Sequence, residues 1–499
     1  MAGSSVATID SETYDVEVEM SVEVKSVDRR THVVMGWCMA NVVQDINHRV
    51  DARYRGARVV CLGGVAAGWM PTVTDLRRRD VDSFLVLHHG PGTGSVPSGD
   101  DVLLIDAEVT IPTGEIIEEF RVWSALASDP PARLAAALDA FDPDHTALLL
   151  CTPPTPLETF GDRPIHGGRR RAWVDFEDKT RVDALLDRAD VAHPRSEVVD
   201  VAGAPWAARR LDEGAGTVWS GDSREGFNGG ATRVRWVATE RDIDDAVAFF
   251  GAEHDTVRVA PFVEGVPCSI HGLVGPEQIA VFRPCEMLIM RRPDRRFVYC
   301  GVATAWDPDA DDREAMREAA RRVGSTLRTE VDFRGTFTVD GIMSTDGFVV
   351  TEVNPRFGGG MARIAGGVES LPLVELHREL IADPTYDPDA ETLEAVVLTD
   401  ADRHRSFSAW TFLHTPLAET TTFRFLLDGQ TTVAASPGEP AIEATVGPAV
   451  TGSMLRVDLA EVAPEPGPMF APLAADALRA AAGIGGVDLG AIEPARSVR

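Results

Sequence analysis

The chain has 499 residues, 44% of them hydrophobic, which is enough to bury a sizeable core and, at roughly 150 residues per domain, to form about three domains. Asp and Glu total 78 against 48 Lys and Arg, a formal charge of −30, and so strong a negative balance works against nucleic-acid or anionic-membrane binding because both partners repel it at long range. The acidic N-terminus lacks the basic-then-apolar order of a signal peptide, no apolar run reaches membrane-span length, and the six cysteines form no C-x-x-C pair, so a cytoplasmic protein with reduced thiols is expected.

Residues 1–30 mix acidic and apolar positions without a clear period and read as an edge strand or an arm. From Arg58 to Leu150, four short apolar runs (ARVVCLGGV, SFLVLHH, DVLLID and HTALLLC) alternate with polar or helical stretches. That alternation predicts a mostly parallel sheet in an open α/β layer, with DPPARLAAALDAF as one of its helices. The Pro/Gly/Arg-rich stretch Pro153–Arg171 marks a boundary. After it, DKTRVDALLDRADV predicts a helix opened by Asp178, with Val182, Leu185 and Leu186 turned inward. β-rich blocks at Val257–Val274 and Phe297–Val302 precede a long helix, DREAMREAARRVGSTLRTEV, and a hairpin, GTFTVDGIMSTDGFVVTEVNP, whose D-G dipeptide is a turn signal. A helix (LPLVELHRELI), short strands at TFLHTP, TTFRFLL and TTVAAS, and the Ala-rich helix FAPLAADALRAAAG complete the chain. The expected division is an N-terminal α/β domain over residues 1–160, a core over 161–369 and a small C-terminal α+β part over 370–499.

The hairpin carries the most chemical information. Asp340 lies on its first strand, and Glu352 and Asn354 lie two residues apart on its second, so strand alternation places the latter two on one face with Asp340 beside them. Two carboxylates and an amide oxygen, with no Cys or His among them, form a hard-oxygen set suited to Mg2+. Pro355 stops the strand, and Arg356 follows, where a guanidinium can hold a carboxylate or phosphate through two hydrogen bonds. The chain has only two lysines, Lys25 and Lys179, which singles out Lys179 as an interior cation.

The string TVDG…TEVNPRFGGG resembles the metal-binding end of the ATP-grasp superfamily, whose members include biotin carboxylase and D-alanine–D-alanine ligase. The resemblance implies that Asp340, Glu352 and Asn354 hold two Mg2+ ions on the phosphates of ATP and that Arg356 lies beside the reacting acyl phosphate. It extends back to Asp178–Lys179 with Val191 and Pro194, where Asp190 replaces a family glycine, and it implies that Lys179 reaches the nucleotide phosphates. GFNGGATRVRWV is similar to the family's glycine-rich flap and implies phosphate contacts from Asn228, Gly229, Gly230, Thr232 and Arg233. VAPFVEGVPCSIHGLV is similar to the hinge strand and implies adenine contacts at Pro261, Phe262 and Val263, with Glu264 near the ribose or simply in a turn before Gly265. Two departures stand out. The family's second lysine, on the strand before the flap, is absent, leaving Arg224 or Arg233 to replace it, and Pro267 and Cys268 stand where many members carry an acid.

The activity implied by the resemblance is that of an ADP-forming carbon–nitrogen ligase, which activates a carboxylate as an acyl phosphate and passes it to an amine, here an amino acid or peptide as in natural-product biosynthesis. An ATP-grasp phosphotransferase, an acyl-thioester ligase acting on a carrier or CoA, and a nucleotide-binding module without catalysis stay open as alternatives. Biotin carboxylase itself is disfavoured, because glycines 358–360 follow Arg356 where that enzyme continues E-H-P. Arg283 and Glu286, on an arginine-rich strand, join Arg356 as candidate substrate contacts. Small-molecule partners and a homodimer are expected, with neither nucleic acid nor membrane.

Overall fold

The computed structural model describes residues 29–111, 116–223, 229, 231–428, 431–436, 438–449, 452–460 and 464–497. The expected arm over residues 1–30 falls almost wholly outside them, as do Arg224, Asn228 and Gly230. Among the described residues no helix is long and apolar enough to cross a membrane.

A 26-residue helix that the sequence reading did not anticipate, α1 (Arg29–Tyr54), leads into the α/β layer. There β1 (Arg58–Leu62), α2 (Met70–Arg77), β2 (Ser83–His88), β3 (Val102–Asp106), α3 (Ile116–Ser128), α4 (Ala132–Phe141) and β4 (Leu148–Cys151) follow in order. The four strands form one parallel sheet in the order β3-β2-β1-β4. The continuous apolar runs of β1, β2 and β4 fit burial on both faces, as a parallel sheet covered by helices requires, and Val59, Val60, Phe84, Leu85 and Leu150 are all fully buried, whereas the edge strand β3 is half-buried with Leu103 exposed.

The connector holds a two-residue pair, β5 (Thr159–Phe160) with β6 (Arg163–Pro164), the single turn α5 (Arg171–Val174), and α6 (Val182–Arg188). α6 starts four residues later than expected, because Asp178 receives the Thr180 N–H (2.9 Å) and hydroxyl (2.6 Å) instead of capping the helix. Val182, Leu185 and Leu186 do turn into the core. Asp190, where the resemblance expects glycine, has φ of +53°, the left-handed conformation that glycine adopts most readily.

A small lobe follows: β7 (Glu197–Asp200), α7 (Ala204–Leu211), β8 (Thr217–Gly221), β9 (Val234–Val237), α8 (Glu240–Glu253) and β10 (Thr256–Pro261). Its antiparallel sheet runs β7-β10-β8-β9. α8 opens on a capping box, Thr239 with Asp242, and packs Phe250 against Trp219 in the lobe's own core.

The chain then builds a large antiparallel sheet from β11 (Val266–Val274), β12 (Ile279–Arg291) and β13 (Phe297–Ala303). After the long helix α9 (Ala310–Val331) come β14 (Gly335–Ser344) and β15 (Gly347–Asn354), then α10 (Gly359–Gly366), α11 (Leu373–Ala382) and α12 (Ala390–Arg403). α9 covers one face, packing Met316, Ala320 and Leu327 on Ile270 and Phe337. α10, α11 and α12 cover the other, against Leu273, Phe282 and Val302. β11 is buried at all nine positions for that reason.

Residues 407–460 add five strands to this same sheet: β16 (Phe407–Leu413), β17 (Thr421–Asp428), β18 (Thr431–Ala434), β19 (Ala441–Pro448) and β20 (Ser453–Ala460). The order runs β15-β14-β11-β12-β13-β16-β20-β19-β17-β18. The strands expected in a separate C-terminal part thus extend the core sheet through the β13–β16 ladder (Gly301 opposite Ala409). α13 (Ala471–Gly485) lies on the extension, its alanines 471, 474, 475 and 481 letting it approach closely, and β21 (Glu493–Pro494) pairs with the end of β12.

Candidate active site

The hairpin turns at Thr345–Asp346, and β14 and β15 pair regularly from Ser344 opposite Gly347 to Gly341 opposite Val350. Continued unbroken, that register would set Asp340 opposite Thr351 and turn Glu352 to the other face. A β-bulge intervenes, so Asp340 stands opposite Glu352 and Thr338 opposite Asn354. Gly341 permits it: a Cβ there would lie 2.4 Å from the Val349 carbonyl oxygen. The Asn354 amide donates to Asp340 Oδ2 at 2.7 Å.

Around this pair the structure gathers two cations. Lys179 Nζ lies 2.7 Å from Glu352 Oε1. Arg356 donates from Nη2 to Asn354 Oδ1 (3.0 Å) and from Nε to both oxygens of Glu177 (3.0 and 3.2 Å). Glu177, fully buried, also accepts from Arg169, whose Nη1 donates to the Pro154 carbonyl at 3.0 Å. The packing around Asp340, and then the Glu352 carboxylate opposite, push the Asp340 carboxyl above the usual carboxylate range against the pull of Arg356 and Lys179. Burial opposes charge on Arg356, but Glu177 and Glu352 outweigh it and hold the guanidinium above its ordinary value. Two facing carboxylates, one raised by burial and then by its neighbour, form a site suited to added positive charge. The donor set is all oxygen, and it fits Mg2+.

These groups open into a cavity of about 270 Å3 whose walls include Lys179, Asp340, Glu352, Asn354 and Arg356. From the glycine-rich segment, Gly229 lines it, with Ala231 and Val234. Thr232 and Arg233 do not. Thr232 donates back to the Gly229 carbonyl at 3.1 Å, and Arg233 pairs with Glu253 and lies over the Phe249 ring. Pro261, Phe262, Val263 and Glu264 form the crossing from β10 to β11, outside the cavity walls. There the Phe262 N–H donates to Gly216 O (2.9 Å), its ring stacks on Trp236 (4.3 Å), and Glu264 takes two hydrogen bonds from Arg291 at 3.2 and 2.5 Å.

Two expected substrate contacts are corrected. Arg283 is buried and pairs with Asp402, 3.9 Å from Asp307, away from the cavity. Glu286 is fully buried and accepts the Phe470 and Ala471 backbone N–H groups at 2.5 and 2.8 Å, closing the start of α13. Arg283 ties β12 to α12 and Glu286 ties it to the start of α13, partners that lie more than 100 residues further along the chain.

Burial pushes the Glu286 carboxyl from its ordinary 4.5 up to about 7, against those two N–H groups. Between these values the folded state binds more protons than the unfolded one, so this group's stabilisation is complete below 4.5 and is lost as pH rises through about 7. Denaturant melts at pH 5 and pH 7.5 are expected to show wild type losing more stability than Glu286→Gln over that interval. An equal loss in both proteins would assign the helix contact no such linkage.

Four wall residues escaped the sequence reading. His271 is buried between the Ser269 and Thr338 hydroxyls, each at 3.0 Å, and burial lowers it to about 3, so its ring is neutral. Tyr299 and Trp410 meet edge to face with centroids 5.7 Å apart. Phe120 comes from α3 of the N-terminal layer. Nothing in the local sequence marks these four: His271, Tyr299 and Trp410 come together through long-range strand pairing, and Phe120 reaches the cavity from a helix of another layer. Glu177 was also missed. A buried acid just before Lys179 could have signalled it, but burial is not readable from that turn.

Residues 229–360 match the profile of an ATP-grasp domain (ATP-grasp_3). Among solved structures, the chain is similar to N5-carboxyaminoimidazole ribonucleotide synthetase from Thermotoga maritima, at 14% identity over 85% of this chain and 98% of that one, with a TM-score of 0.47. It is similar to L-amino acid ligase from Bacillus licheniformis at 12% identity over 81% and 94%, TM-score 0.48. It is similar also to the biotin carboxylase domain of Hydrogenobacter thermophilus 2-oxoglutarate carboxylase, in a complex with MgADP, ADP and bicarbonate, at 12% identity over 88% and 91%, TM-score 0.48. No curated protein matches the chain.

Proposed function

We infer that this chain, whose residues 229–360 match the ATP-grasp domain profile, is an ATP-dependent, ADP-forming ligase that joins a carboxylate to an amine. The observation that carries the reading is the bulged hairpin, which sets Asp340, Glu352 and Asn354 on one face at the wall of a cavity shared with Lys179 and Arg356. A purely nucleotide-binding module has no need of Arg356 beside the carboxylate pair.

In this reading Asp340, Glu352 and Asn354 would hold two Mg2+ ions, which when bound neutralise phosphate charge and align the γ-phosphate. Lys179, 2.7 Å from Glu352, is placed to turn to a phosphate oxygen. A substrate carboxylate oxygen attacks the γ-phosphorus and ADP leaves with the bonding electrons. Arg356, fixed by Glu177, steadies the resulting acyl phosphate. The amine nitrogen then attacks the acyl carbon, loses a proton and expels inorganic phosphate.

ADP release from ATP and Mg2+ with carboxylic acids that lack an amine and amines that lack a free carboxyl, supplied singly and in pairs, tests this. A ligase needs both partners for turnover. Turnover with a single partner would indicate a phosphotransferase, and none with any pair, alongside Mg2+-dependent ATP binding, would indicate a binding module.

A further inference from the structure

The cavity has two chemically different ends. On β15 and β14 its wall is polar, with Glu352, Asp340 and Lys179. On β12, β13 and β16 it is Met287, Ile289, Tyr299 and Trp410, with Phe120 closing over from the N-terminal layer. In the sheet order β13 and β16 lie beyond β11 and β12 from the carboxylate pair on β14 and β15, so the polar and the aromatic walls belong to different strands of the one cavity.

Between the two ends lies the glycine run at the start of α10. A Cβ on Gly358, Gly359 or Gly360 would come within 2.8 Å of Thr338 Oγ1, 2.8 Å of the Tyr299 hydroxyl and 2.2 Å of His271 Nε2 respectively. The bare backbone is therefore pressed against the wall beside Arg356, and the aromatic pair begins at Tyr299.

The charge inventory narrows the occupant further. Among the described wall residues the carboxylates are Asp340 and Glu352 alone, and both belong to the cation site. Asp458, on the strand next to that of Trp410, is taken by Arg456 (2.5 Å) and Arg363 (3.3 Å). An α-ammonium on the activated acid would lie beside its own carboxylate, and so beside the Arg356 guanidinium, with no further carboxylate among the described wall residues to pair it. That arrangement is unfavourable in a desolvated site.

Resting on the ligase reading, we propose that the activated substrate is a monocarboxylate with an apolar, ring-sized body and no cationic group, its carboxylate at Arg356 and its body against Tyr299 and Trp410. An amino acid enters, if at all, as the amine.

Hydroxylamine in place of the amine tests this on the full chain, because it converts any acyl phosphate to a hydroxamate whatever the natural nucleophile. With ATP and Mg2+, 3-phenylpropionate is expected to exceed acetate, succinate and L-phenylalanine by about tenfold or more in kcat/KM. Trp410→Ala should erase most of its advantage over acetate while leaving the KM for ATP unchanged, and Trp410→Phe should keep it. Equal or better rates with succinate or L-phenylalanine, or an advantage untouched by Trp410→Ala, would overturn the proposal. Calorimetric titration of 3-phenylpropionate into the MgADP-saturated chain separates the two readings. Binding without hydroxamate from any acid sinks the ligase and keeps the pocket, whereas absence of binding sinks the pocket.

Discussion

Glu352→Gln is expected to lower Mg2+-dependent ADP release by about three orders of magnitude and to leave the fold intact. Glutamine keeps the shape of the side chain on β15, so the bulge that sets residue 352 opposite Asp340 has no reason to relax. What is lost is one of the two anionic donors. Metal-borne charge stabilisation in phosphoryl transfer amounts to several kcal/mol, and at about 1.36 kcal/mol per factor of ten roughly 4 kcal/mol gives the stated loss. The ion pair of Lys179 with Glu352, 2.7 Å in this structure, disappears as well, but at a partly exposed position it contributes about 1 kcal/mol or less to stability. The melting temperature should therefore stay close to that of wild type while the thermal shift produced by MgATP shrinks. ADP release unchanged in Glu352→Gln would remove the carboxylate pair from the mechanism.

That prediction depends on a feature only half legible in the sequence. The spacing of twelve from Asp340 to Glu352 and the step of two to Asn354 read correctly as one converging face. With a two-residue turn at Thr345–Asp346, however, regular pairing puts Thr351 opposite Asp340, and only the bulge corrects it. Gly341 was the available signal, since the close approach of the Val349 carbonyl excludes a side chain there. The parallel sheet β3-β2-β1-β4 was legible because each of its strands is a continuous apolar run. β16 and the strands after it also read as strands, but not as a continuation of the core sheet, since pairing of β13 with β16 joins segments about 100 residues apart and leaves no local period. Arg283 and Glu286 misled for a related reason. The burial pattern of β12 does not say which partner will cover a charged side chain, and here the partners are Asp402 and the start of α13.

Glu177 lay furthest from the sequence reading, and its replacement carries the second large expected effect. Its carboxylate, 1% exposed, is shared by Arg169 and Arg356. Through Arg169 it reaches the Pro154 carbonyl on the cavity wall, and through Arg356 it reaches Asn354. Glu177→Ala sets two buried guanidiniums against each other without the anion between them. Breaking a buried ion pair by removing one partner costs about 3–5 kcal/mol, so a marked fall in melting temperature is expected. Burial already depresses Arg169 to about 10, so this is the guanidinium most exposed to the loss. Stability alone would not distinguish a brace from a positioning residue. The distinguishing reading is kinetic, taken well below the variant's melting temperature. If Glu177 aims Arg356 at the acyl phosphate, Glu177→Gln, which keeps an acceptor for one arginine, lowers kcat by about tenfold or more with the KM for ATP near its wild-type value. A normal kcat in the folded Glu177→Gln protein would confine Glu177 to holding the cavity wall and leave the aim of Arg356 to its other partners, Asn354 among them.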